Sequence, residues 1–195
     1  MYKVRGIIFD LDGTLVDLPI DWHRVIRQVE RILGVKVKSL LELYPKTWGT
    51  EKYKLISQTV EEFEFASLDK LKVLDNSVEL LMELSPKYLI GIATFQGENV
   101  VKKIFDRLGT RNLVLATRDD APTKIKQISH IISSTSLEPE DFLVVGDRLN
   151  DVYSALDLGC QAILVDRRNK FDPNKIRENF TIIPNLAELL NLFKE

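Results

Sequence analysis

Five short, largely apolar runs punctuate the chain: Val4 to Phe9, Tyr88 to Ala93, Leu113 to Ala116, Phe142 to Val145 and Ala162 to Val165. Each has the length of a strand, and most are apolar at successive positions instead of alternate ones. That pattern belongs to strands buried on both faces of a parallel sheet. The segments between them have helical spacing. Val100, Val101, Ile104, Phe105 and Leu108 share one helical face, as do Ile125, Ile128, Ile131 and Ile132. Pro122 suits the first turn of the second helix. Val152, Tyr153 and Leu156 mark a further helix that Gly159 is placed to end. Strand, helix, strand in repetition predicts right-handed crossovers and an open, parallel-sheet α/β core.

Residues 18–71 break this rhythm. Ile20, Val25, Ile26, Val29, Ile32 and Leu33 give one amphipathic helix, closed by Gly34, and Tyr53, Ile56, Val60 and Phe63 give a second. Asp17 is the candidate cap of the first helix, which contains Trp22 and Val25. No run between them resembles a buried parallel strand. The stretch is therefore expected to be a small all-helical cap inserted after the first strand, with residues 1–17 and 72–195 forming the core. A chain of 195 residues has room for one such core and an annex.

Composition narrows the classes. Hydrophobic residues at 45% and charged residues at 29% are ordinary for a globular chain. With 27 Lys and Arg against 29 Asp and Glu, and no basic cluster, the chain lacks the positive face that nucleic acids require. Cys160 is the single cysteine, which excludes an intrachain disulfide; between Gly159 and an apolar run it is expected to be a buried small side chain. The N-terminal apolar stretch is too short for a signal peptide, and nothing later approaches the roughly 20 apolar residues of a membrane span. The expectation is a cytoplasmic protein that enters no membrane and binds no nucleic acid. Nothing in the chain specifies an oligomeric state.

In open α/β sheets, ligands gather beyond the carboxyl ends of the strands. The polar residues that follow the apolar runs are Asp10 and Asp12, then Thr94, then Asp147 and Asp151, and Lys124 joins them from the start of a helix. Two like charges about 4 Å apart repel by about 4 kcal/mol at an effective dielectric near 20, so gathered carboxylates call for a cation. Oxygen donors without His or Cys suit Mg²⁺. His23 and His130 stand far apart and are expected to be structural or surface groups. A carboxylate attacking a phosphate dianion would face about 8 kcal/mol of repulsion by the same arithmetic, which Mg²⁺ and an ammonium group offset. Within FDLDGTLVD, residues 9–17, one carboxylate can form an acyl phosphate. A second nearby can protonate the leaving alkoxide and then deprotonate water. Gly13 permits a tight turn beside them. Arg24, Lys46 and Trp48 are expected on a solvated face, and Arg118, Asp119 and Asp120 as loop charges outside the site.

DLDGTLV at residues 10–16 resembles the first motif of the haloacid dehalogenase-like hydrolase superfamily. YLIGIAT, ending at Thr94, is similar to its second motif, RDDAPTK, ending at Lys124, to its third, and VVGDRLNDV, with Asp147 and Asp151, to its fourth. These pieces occur in the family's order and span most of the core. The resemblance implies a Rossmann-like core, a helical cap of the phosphoglycolate phosphatase type, Mg²⁺ as cofactor and a small phosphorylated metabolite as substrate. It implies Asp10 as the nucleophile, and as a metal ligand together with the Asp12 backbone carbonyl and the Asp147 carboxylate. Asp12 would be the general acid and base. Thr94 would donate a hydrogen bond to the phosphoryl group, Lys124 would neutralise charge, and Asp151 would support the metal's water shell or orient Lys124. Thr94 is followed by Phe95 and Gln96, where many members carry Asn or Gly. Phosphatase chemistry is expected first. A phosphomutase of the same fold, or a phosphate-sensing or protein-binding module without turnover, stand as alternatives.

Overall fold

The computed structural model describes residues 4–171 and 180–193. Six parallel strands form its sheet: β1 (Gly6–Phe9), β4 (Leu89–Ala93), β5 (Val114–Ala116), β6 (Phe142–Gly146), β7 (Gln161–Val165) and β8 (Thr181–Ile183). Their spatial order is β5-β4-β1-β6-β7-β8, and every pairing is parallel. The first strand thus lies in the interior of the sheet, with Phe9 level with Ile92 on one side and Val145 on the other.

Helices cover both faces, and the alternation of side chains along each strand explains how. Ile7, Phe9, Leu143 and Val145 join one apolar cluster with α4 (Ser77–Leu84), α5 (Glu98–Leu108) and α8 (Ala187–Asn191). Ile8, Val144, Ala162 and Leu164 point the other way, into a cluster with α6 (Lys124–Ser133) and α7 (Leu149–Asp157). Full burial of each of these side chains larger than alanine stabilises the fold by roughly 1.5–3 kcal/mol. The unbroken apolar runs of the sequence follow from this burial on two sides.

A third cluster lies between β1 and β4 in sequence, built by α1 (Trp22–Leu33), α2 (Leu40–Thr47) and α3 (Glu51–Ser67) around Val25, Val29, Tyr44, Ile56 and Val60. The short α2, which carries Pro45 in its second turn, was absent from the two-helix expectation. A small antiparallel ribbon, β2 (Val16–Asp17) with β3 (Lys72–Val73), joins the two ends of the stretch. Asp17 belongs to that ribbon and does not cap α1; Asp21 does, its Oδ1 accepting the Arg24 amide at 3.0 Å. Gly34 closes α1 with a left-handed backbone, φ 66°. Pro122 lies ahead of α6 instead of in its first turn, because the backbone stays extended at Thr123. No helix of the described residues is long and apolar enough to cross a membrane.

Candidate active site

The loops after β1, β4 and β6 and the first residue of α6 converge on one rim. Lys124 is 3% exposed, and its ammonium donates to Asp10 Oδ1 at 2.7 Å and to the Ala93 carbonyl at 2.6 Å. Asp151 Oδ1 lies 3.1 Å from the same nitrogen. Three acceptors thus match the three protons of the ammonium. Burial works against the charge on Lys124, but Asp10 and Asp151 outweigh it and hold the group above the ordinary lysine value. Thr14 donates from its hydroxyl to Asp10 Oδ2 at 3.4 Å.

Asp12 is turned the other way along the chain, where its Oδ1 accepts the Leu18 amide at 2.8 Å. Burial raises its carboxyl to about 7; the Leu18 amide pulls down, while Asp10 and Asp147 push up. Asp147 is likewise held above the ordinary range, by burial first and by Asp10 next. Burial also raises Asp151, against the pull of Lys124. Gly13 lies against Asp147 with φ 91°: a Cβ at that position would come within 2.5 Å of Asp147 Oδ2. Glycine is therefore required there twice, for conformation and for space.

Carboxylate oxygens of Asp10, Asp147 and Asp151 lie within 4.8 Å of one another. Asp147 Oδ1 is buried with no hydrogen-bond partner. An unpartnered buried oxygen among mutually repelling acids fits a hard cation, and an all-oxygen donor set fits Mg²⁺ chemistry. The three acids could hold a metal ion.

A cavity of about 240 Å³ opens on this rim. Asp10, Asp12, Lys124 and Asp151 line one side, and Trp22, Ile26, Leu40, Leu41 and Tyr44 of the inserted helices line the other. Asp147 faces a neighbouring depression that it shares with Asp12 and Gly13. Thr94 is fully buried and lines neither; its hydroxyl donates to Gln96 Oε1, and Gln96 is the group that reaches the cavity. His23 and His130 are exposed and away from the rim. Arg24 lies over the Phe63 ring and Trp48 packs edge-on against Tyr53, neither at the cavity.

Arg118 overturns the expectation of a loop charge. Its side chain is fully buried, paired with the equally buried Glu64 of α3 and bonded to the Phe95 carbonyl at 2.7 Å. Asp119, in contrast, is exposed, although it accepts from Ser57 Oγ at 3.1 Å. A second arginine was also missed. Arg167, two residues beyond β7, donates to the Gly13 carbonyl at 2.6 Å and the Thr14 carbonyl at 2.8 Å while paired with Asp75. It holds the turn that carries Asp12. Its position after a strand's carboxyl end was the available signal.

A sequence-family model described as haloacid dehalogenase-like hydrolase matches residues 7–165. The chain is 25% identical over 187 residues to an N-acetylmuramic acid 6-phosphate phosphatase of Pseudomonas putida, covering 84% of this chain and 83% of that one. It is 25% identical over 183 residues to a phosphoglycolate phosphatase of Synechococcus elongatus, covering 83% and 84%. Among solved structures, a haloacid dehalogenase-like phosphatase from Thermococcus onnurineus superposes with a TM-score of 0.69 at 22% identity, over 98% of each chain. Family match, parallel sheet and the order of its rim residues agree, and the chain belongs to the haloacid dehalogenase-like hydrolases.

Proposed function

We propose that the protein is a Mg²⁺-dependent phosphatase that hydrolyses a small phosphomonoester through an aspartyl phosphate on Asp10. The observation that carries this is the arrangement around Asp10. One of its oxygens is bound to a buried ammonium, a second carboxyl that retains a proton near neutrality stands two residues away, and both open on a small cavity. Two relatives similar to this chain are named as phosphatases of different phosphate esters, which supports the reaction class and leaves the alcohol to be derived from this chain.

Asp10 attacks phosphorus and the bond from phosphorus to the leaving oxygen breaks. Asp12 gives its proton to that oxygen, so a neutral alcohol departs. Asp12, now a carboxylate, takes a proton from water, whose oxygen attacks phosphorus and releases phosphate. Asp10 is restored. Lys124 offsets the repulsion between the Asp10 carboxylate and the incoming dianion and holds Asp10 in place. Asp10, Asp147 and Asp151 would hold the Mg²⁺ ion, with the Asp12 main-chain carbonyl as a further oxygen. When bound, the ion neutralises charge on the phosphoryl group. Thr94 would reach the phosphoryl group by giving up its bond to Gln96. The helices within 18–71 serve as the cap, closing the cavity over the leaving group.

Hydrolysis of p-nitrophenyl phosphate with and without Mg²⁺, by the native protein and Asp10→Asn, tests the proposal. Mg²⁺-dependent release that the variant lacks is expected. Equal release by both proteins would overturn it.

A further inference from the structure

Thr94 follows β4, and its amide still pairs across the sheet, with the Ala116 carbonyl at 2.9 Å. The next three residues leave the sheet, and their main-chain groups find other partners. The Phe95 carbonyl accepts from Arg118 Nη1 at 2.7 Å, the Gln96 carbonyl accepts from the Arg118 amide at 3.3 Å, and the Gly97 amide donates to Glu64 Oε2 at 3.2 Å. Two residues thus hold the loop that carries Thr94.

Arg118 is held in turn by the inserted helix α3. All five N–H directions of its guanidinium are used: besides the Phe95 carbonyl they meet both Glu64 oxygens, the Ser57 hydroxyl at 2.8 Å and the Ser57 carbonyl at 3.2 Å. From the same helix, the Tyr53 hydroxyl donates to the Arg118 carbonyl. Gly97 leaves room for this approach, since a Cβ there would come within 2.8 Å of Arg118 Nη2. A fully desolvated ion pair is a weak source of net stability, because the cost of burying both charges offsets their attraction. What its planar, bidentate form supplies is direction.

The loop so held borders the acid rim. The Phe95 ring centroid lies 5.3 Å from the Lys124 ammonium that binds Asp10, and Gln96 both lines the cavity and accepts from the Thr94 hydroxyl. We infer that Glu64 and Arg118 are positioning residues for the phosphoryl group: they act by fixing residues 94–97 so that the Thr94 hydroxyl can reach it. The inference rests on the phosphatase reading, which places a phosphoryl group at Asp10.

The test is a double-mutant cycle, read by binding and by turnover. Inorganic phosphate is titrated calorimetrically into the full-length, Mg²⁺-loaded protein, and hydrolysis of p-nitrophenyl phosphate is followed alongside. Arg118→Lys keeps the buried charge but lacks the planar fork. Arg118→Met combined with Glu64→Leu removes both charges, and with them the side-chain partners of the Phe95 carbonyl and the Gly97 amide. In either variant, phosphate affinity and kcat are expected to fall by about 10- to 100-fold. Mg²⁺ affinity is expected to stay unchanged, because Asp10, Asp147 and Asp151 are untouched. In a Thr94→Val background the same substitutions are expected to cost little further, since the group they position is already gone. A general loss of structure would instead multiply in both backgrounds and weaken Mg²⁺ binding too. Unchanged phosphate affinity in both Arg118 variants, or effects that multiply with Thr94→Val, would overturn the inference. Phosphate binding that follows the cycle in a native protein without hydrolysis would count against the phosphatase proposal alone.

Discussion

The Glu64 carboxylate and the Arg118 guanidinium meet in two parallel contacts, Nη1 to Oε1 at 2.6 Å and Nη2 to Oε2 at 2.9 Å, and neither side chain has any exposure. The pair joins α3 to the loop after β5, and the spare protons of Arg118 reach Ser57 and the Phe95 carbonyl. Desolvation opposes the charge on Arg118, but Glu64 more than compensates and keeps it ionised. The helices over the cavity are thereby bolted to the rim at one end.

Removing one partner strands a buried charge. Arg118→Met is expected to destabilise the protein by about 3–5 kcal/mol. The double variant with Glu64→Leu should recover part of that loss, since no buried charge is then left unpaired, while the Gly97 amide and the Phe95 carbonyl still lose their partners. Urea denaturation of both variants measures this; a double variant no more stable than the single one would contradict it.

Asp12→Asn separates the two halves of the proposed reaction. General acid–base catalysis is worth about 100- to 10,000-fold, so steady-state turnover should fall by that much. p-Nitrophenolate leaves without needing a proton, so the first half survives. Rapid-quench kinetics should then show a burst of phenolate equal to the enzyme concentration, followed by slow release of phosphate.

Cation binding and pH are coupled through the acids. Burial holds Asp12 at about 7 and raises Asp147 and Asp151 as well, against an unfolded value of about 3.9. Carboxyls raised in the folded state contribute stability that is whole below about pH 4 and is lost as pH rises to about 7. In EDTA the melting temperature should therefore fall between pH 5 and pH 8. Mg²⁺ at a hundredfold excess over its Kd should restore about 2.7 kcal/mol, most visibly at pH 8. A melting curve indifferent to Mg²⁺ would remove the acids from metal binding.

Cys160 is 3% exposed, and burial, with Glu140 adding to it, pushes its thiol up to about 12. The thiolate is the reactive form, so iodoacetamide at pH 8 should alkylate the native protein slowly and the urea-unfolded protein at the rate of a free thiol. The same shift means that this cysteine costs stability only above its unfolded value of about 8.5.

The rim was legible because its residues follow strands whose burial on both sheet faces leaves unbroken apolar runs. β8 offers only two apolar residues among its three, Ile182 and Ile183, and α2 is a two-turn helix interrupted by Pro45. Arg118 was misjudged because its partner lies 54 positions earlier, a separation no local pattern encodes. A signal was nevertheless available: Glu64 continues the stripe of Ile56 and Val60 at four-residue steps, and an acid on an apolar stripe requires a buried partner. The apolar wall was hidden for the opposite reason. Trp22, Leu41 and Tyr44 look like core residues of their helices, and only tertiary packing turns them toward the acids.

The interior placement of β1 has a consequence for divergence. Phe9 is in step with Ile92 and Val145, so the loops after β1, β4 and β6 leave the sheet from neighbouring rungs about 4.8 Å apart. The interval between the acids is set by the pitch of the sheet, a quantity that substitutions in distant helices do not alter. Residues opposite Asp10 can therefore be exchanged while the acids themselves stay in register.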